Sequence, residues 1–189
     1  MNYLKSLLFL PLLYKNPFKT DSPWIVQDSD HLDLEIKRST LPLPKHTLIN
    51  GLFAKRTFEA KEIIGEYRGP IVPSEKSDDP IFDPEDKMLE LNEKYVLLGR
   101  SIAAYANDCV DLKLEKYGSE EYKKWVEKEE FPKHQGCEQN AEFLFKANKV
   151  FLVSKRQIKA GEEIFLSYGF DYWKTYYEYY DEEGNCKKK

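Results

Sequence analysis

From His31 the apolar and polar positions alternate: Leu32, Leu34 and Ile36 are interleaved with Asp33, Glu35 and Lys37, the period of two that describes a half-buried strand. Pro42 and Pro44 stop it. The turn pair Asn50-Gly51 then leads into Leu52-Phe53-Ala54, and Glu62 to Tyr67 follows as another short strand. Pro70, Pro73 and the charged residues after them read as a loop or insertion, with Asp86 to Leu91 as a helical piece. Tyr95 to Leu98 is again a short apolar strand. Between Gly118 and Glu130 the period changes. Ser119 is placed to cap a helix, Glu120 and Glu121 fall in its first turn, and Tyr122, Trp125 and Val126 share one face. Strands return at Ala141–Phe145 and Val150–Val153 around Ala147-Asn148. Gly161 opens a final run through Ile164, Leu166 and Tyr168 that is apolar on both sides, as in a buried strand.

Many short strands with one helical insertion predict a mainly β domain. No internal repeat stands out, and neither a glycine-rich dinucleotide turn nor a phosphate loop is present. The 189 residues suit one domain with appendages. Residues 1–30 are expected to form an N-terminal arm and 31–175 the domain itself, with an insertion at about 111–136 and a tail at 176–189. In the arm, Tyr3 to Tyr14 is apolar but broken by Pro11 and too short to span a bilayer. It reads as packed on the domain, with an export or targeting segment as the alternative. In the tail, Tyr176, Tyr177, Tyr179 and Tyr180 form an aromatic packing face.

A net charge of -4 and a pI near 5.6 argue against a general nucleic-acid-binding surface. The stretch from Glu75 to Glu93 carries most of the local acidity, which suits a solvated loop or a landing surface for a basic partner. Cys109, Cys137 and Cys186 are odd in number and widely spaced. They support neither a disulfide framework nor a zinc module and fit a reducing compartment. Adding His134 gives no metal-ligand spacing.

Four segments, in one order, resemble the SET domain of protein lysine methyltransferases over roughly Leu34 to Trp173. Asn50-Gly51-Leu52-Phe53-Ala54 with Ile63 to Gly69 looks like the opening block. Ala103 to Cys109 looks like the block of the Asn-His-Ser-Cys motif, and Glu138 to Phe143 is similar to the Pro-Asn that closes it. Gly161 to Trp173 is similar to the final strand with its catalytic tyrosine. This chain departs from the family pattern at Ile49, Lys61, Ala104, Asp108, Cys109 and Gln139.

The resemblance implies a fold of small curled sheets with a knot-like C-terminal crossing that brings Asn107, Asn140 and Tyr168 together. It implies transfer of a methyl group from S-adenosylmethionine to a lysine of a protein, a histone tail being the natural guest. Tyr168 takes the catalytic place. Asn50, Gly51, Leu52, Phe53, Tyr105, Asn107, Asp108, Asn140 and Trp173 fall at cofactor positions, while Tyr95, Ala104, Leu166 and Phe170 fall along the lysine channel. No metal is implied. A nuclear, intracellular location follows from the same likeness, with neither direct nucleic-acid contact nor a membrane span. The departures leave a non-catalytic SET-like module that binds a lysine-bearing peptide as the alternative reading.

Overall fold

The computed structural model describes residues 32–42, 49–74, 87–111, 116–146 and 149–179. The apolar arm, most of the acidic stretch, the Ala147-Asn148 turn, Cys186 and Tyr180 lie outside them. Among the described residues, nine strands form three antiparallel sheets: β1 (Leu34–Arg38), β2 (Asn50–Ala54) and β9 (Glu163–Ile164); β3 (Ile63–Tyr67), β8 (Lys149–Ser154) and β7 (Ala141–Lys146); and β4 (Ile71–Pro73), β6 (Tyr95–Gly99) and β5 (Lys87–Asn92). The expected β-rich class of small separate sheets is what the chain adopts.

The core lies where these sheets meet a 3-10 turn at Ile102–Tyr105. Leu34, Leu52, Phe58, Leu152, Ile158, Ile164 and Leu166 are buried there together with Ala103 and Ala104. The small side chains of the turn let it pack close against β1, β2 and β3. A second, aromatic core is built by two helices, α1 (Glu120–Glu127) and α2 (Phe170–Tyr179), around Tyr122, Phe131, Tyr172, Trp173 and Tyr177. The Ser119 hydroxyl caps α1 by accepting from the Tyr122 amide at 3.1 Å.

Several expectations are corrected. Leu32 is not in the first strand and is exposed. The segment after Pro70 is a strand, β4, at the edge of its sheet, where Pro73 has no central ladder position to disrupt. Residues 87–91 belong to strand β5, not to a helix. Met88 and Leu98, on facing strands, are buried together, so cross-strand packing outweighs local helical preference. The last strand is only two residues long; beyond Ile164 the chain leaves β2, making an isolated parallel bridge between Phe165 and Asn107 and accepting at the Phe165 carbonyl from the Asn140 and Ala141 amides. Cys109 and Cys137 are joined by a disulfide with Cα atoms 5.6 Å apart, so these two are not the reduced thiols expected from their spacing. The tail is helical through Tyr179.

The chain also repeats itself in space. Phe58 and Ile158 exchange backbone hydrogen bonds at 2.8 and 2.9 Å. Around them each half closes on the other in the same way. The Lys61 amide donates to Ser154 and the Ser154 amide to Glu62; the Gly161 amide donates to Ala54 and the Ala54 amide to Glu162. Arg56 pairs with Glu62 at 2.8 Å and Arg156 with Glu162 at 2.6 Å. The two turns take the same left-handed conformation, at Gly161 (φ 84°) and, against the usual preference, at Lys61 (φ 68°).

Candidate functional site

The segment Phe165-Leu166 is gripped from two sides. On one side, the Leu166 amide donates to the Asn107 carbonyl at 2.9 Å, and Asn107 pairs with Phe165 in a parallel bridge. On the other, the Asn140 side chain accepts from the Phe165 amide at 2.9 Å and donates to the Glu163 carbonyl at 2.9 Å, while the Asn140 and Ala141 amides donate to the Phe165 carbonyl. An asparagine amide can donate and accept at once, which is what this position requires. The final segment therefore passes between the Asn107 turn and Asn140. Tyr168 emerges directly beyond the crossing.

Tyr168 is held at three points. Its amide donates to Asp108 Oδ2 at 2.8 Å, its hydroxyl donates to the Ala106 carbonyl at 3.0 Å, and its ring stacks on Trp173 with centroids 5.7 Å apart and planes 15° from parallel. Burial, and then the carboxylate of Asp108, push its phenol well above the ordinary tyrosine range. The hydroxyl is thus kept protonated as a neutral donor. The Trp173 indole donates to the same Asp108 oxygen at 2.7 Å.

The Asn107 amide points the other way, donating to the Asn50 carbonyl at 3.0 Å and to Glu163 Oε1 at 3.3 Å. Glu163 is buried and also accepts from the Ser39 hydroxyl at 2.7 Å and from the Thr40 amide and hydroxyl, both at 2.6 Å. Its carboxylate fills the space beside Gly51, where a Cβ would come within 2.0 Å of Oε1.

The structure thus brings Asn50, Gly51, Asn107, Asp108, Asn140, Leu166, Tyr168 and Trp173 into one bonded group. Leu52, Phe53 and Ala104 are buried in the core beside it. Tyr105 lies at the end of the 3-10 turn, with Lys87 Nζ 4.5 Å from its ring centre. Phe170 stacks on Phe131 at 5.3 Å, within the aromatic core of α1 and α2. Tyr95 is exposed at the start of β6. Sequence reasoning missed Glu163 and the Ala106 carbonyl. The signal for Glu163 was an acidic residue facing Phe53 in a run otherwise apolar on both sides; a backbone acceptor such as Ala106 leaves no mark in residue identity.

Among the described residues, no group of three or more His, Cys, Asp and Glu side chains is arranged to hold a metal ion, and no helix is long and apolar enough to cross a membrane. No curated protein matches the chain. The family model described as SET domain matches residues 50–169, from the strand carrying Asn50 and Gly51 to the glycine after Tyr168, and so spans the bonded group except Trp173. The chain therefore belongs to the SET-domain protein lysine methyltransferase family.

Proposed function

We propose that this chain is an S-adenosylmethionine-dependent protein lysine N-methyltransferase acting on a histone or another basic protein. The observation that carries the reading is the half-buried Tyr168, whose hydroxyl donates to the Ala106 carbonyl beside the Asn107 turn and whose ring stacks on Trp173. The residues fit the cofactor's chemistry: the Asn50 carbonyl and the Asn107 amide supply polar groups, the buried Glu163 carboxylate, whose oxygens are taken up by Ser39, Thr40 and Asn107, supplies negative charge, and Trp173 supplies an aromatic face. When bound, S-adenosylmethionine supplies an electrophilic methyl on a sulfonium centre. The protein's part is alignment and exclusion of water. A substrate lysine has an ordinary pKa of about 10.4 and must lose its proton to act. Burial disfavours its charged form, and Tyr168 orients the neutral amine.

The experiment is calorimetric titration with S-adenosylmethionine followed by radiolabelled methyl transfer to histones and to whole lysate. Binding with transfer supports the reading. Binding without transfer to either would sink it and leave the peptide-binding module, which Asp108 in place of the family's histidine favours. As part of the same proposal, the acidic stretch Glu75–Glu93 receives the basic partner, and the chain works in the nucleus. Replacing Asp78, Asp79, Asp83 and Asp86 by asparagine should slow peptide association at low salt and leave it unchanged at high salt. Unchanged rates at low salt would make the stretch a plain solvated loop.

A further inference from the structure

Asp108 stands where the family carries a histidine, and its surroundings explain what an acid does there. The residue is 4% exposed. Oδ1 accepts from the Cys109 amide at 2.6 Å and from Gln139 Nε2 at 2.7 Å; Oδ2 accepts from the Tyr168 amide at 2.8 Å and from Trp173 Nε1 at 2.7 Å. All four donors are neutral N–H groups, arriving from the Asn107 turn, the segment before β7, the crossing and α2. A carboxylate offers about four lone-pair positions. Each is matched here by a protein donor, so the group serves as an internal anchor and not as a ligand for a small molecule.

The two donors on Oδ2 are the significant pair. They belong to the residue at the catalytic position and to the aromatic ring stacked upon it. One oxygen atom therefore fixes both the backbone of Tyr168 and the edge of Trp173, and with them the tilt between the two rings. A neutral imidazole presents a single acceptor nitrogen and cannot serve four donors.

We propose that Asp108 is a positioning residue of the methyl-transfer site, holding Tyr168 and Trp173 in their working orientation through a single carboxylate oxygen. This rests on the reading of the chain as a methyltransferase and deepens it. Disturbing the anchor tilts the tyrosine hydroxyl, and misplacement of a reacting group by about 1 Å costs on the order of a hundredfold in rate. The folded core and the Asn50–Asn107–Glu163 side of the site remain in place.

The test compares Asp108→Ala with Asp108→Asn in the full chain. Alanine releases all four donors; asparagine keeps one oxygen, enough for one pair. Expected are a fall in kcat of at least tenfold for Asp108→Ala and a smaller fall for Asp108→Asn, with peptide KM changed less than threefold and any loss of S-adenosylmethionine affinity, through the freed Trp173 face, smaller than the loss of kcat. In parallel, nuclear magnetic resonance should show faster hydrogen exchange at the Trp173 indole N–H, assigned through Trp173→Phe, while the Trp125 indole is unaffected. Retained kcat with a freed Trp173 indole would overturn the proposal. So would equal losses of melting temperature, cofactor affinity and kcat, which mark a merely structural residue. If the wild type transfers no methyl, the methyltransferase reading fails, and with it the positioning role in transfer; the indole signal then separates this from an Asp108 that does not hold Trp173 at all.

Discussion

The hydroxyl of Tyr168 donates to the backbone carbonyl of Ala106, so the reactive end of the side chain is fixed by a group that no substitution at position 106 short of a backbone change can remove. Tyr168→Phe deletes the donor and keeps the ring on Trp173. Methyl transfer should fall about a hundredfold while cofactor affinity is preserved, and the fold should lose about 1 kcal/mol for one hydrogen bond. Single-turnover kinetics with calorimetry check this, and near wild-type turnover would remove Tyr168 from the chemistry.

Asn107→Ala acts on the opposite side of the crossing. It removes the donor that joins the Asn50 carbonyl to Glu163 but leaves Ser39 and Thr40 on that carboxylate. Cofactor affinity should weaken first, by about 1–3 kcal/mol if an acceptor is left unsatisfied. A loss confined to turnover would assign Asn107 to the reacting atoms instead.

Gly51 and Glu163 are coupled by lack of space. Gly51→Ala drives a methyl into the Glu163 carboxylate and should destabilise by about 1–3 kcal/mol. Glu163→Asp withdraws the oxygen. The double variant should therefore be more stable than the sum of the two single changes predicts, a non-additivity that urea denaturation can measure.

Lys61 sits at φ 68° in a turn whose counterpart is Gly161. Lys61→Gly relieves an unfavourable left-handed conformation worth about 1–2 kcal/mol, offset by the greater freedom of glycine in the unfolded chain and by an exposed ion pair with Glu142 that contributes little. A net gain in melting temperature is expected, and Gly161→Ala should lower it.

Alkaline pH should destabilise the fold through two phenols held above the ordinary tyrosine range. Burial raises Tyr122 to about 12 and Tyr168 well above its usual value. Their contribution is complete below pH about 10, where the unfolded tyrosines are still protonated, and is lost as pH rises toward the folded values. Stability measured from pH 9 to 12 should fall less steeply for Tyr168→Phe than for the wild type.

Local signals were legible in the sequence and tertiary ones were not. Ser119 with Glu120 and Glu121 announces α1 because capping is settled within one turn. Asn107, Asn140 and Tyr168 were recognisable as members of one site through four blocks in order. β5 was misread because Met88 and Leu89 are buried by β6 and the core, which no local period encodes. The Cys109–Cys137 bond depends on the excursion through α1 folding back, so spacing alone did not show it. The two-fold arrangement was in fact written in the chain: Lys55-Arg56, Ala60 and Glu62 match Lys155-Arg156, Ala160 and Glu162. It was hidden because Phe58 and Lys61 are answered by Ile158 and Gly161.

The mutual hold of Phe58 and Ile158 has a consequence for how the molecule comes into being. During synthesis the first half emerges with β3 lacking its hydrogen-bonding neighbour β8 and with the Ala54 carbonyl lacking the Gly161 amide. Domains tend to fold as units while the chain is made. Here the unit cannot close until translation has passed the second turn, and pairings so distant along the chain are slow to form. Because Tyr168 lies just after that turn, completion of the fold and arrival of the reactive hydroxyl are nearly the same event, and a ribosome that stops early releases a chain with neither.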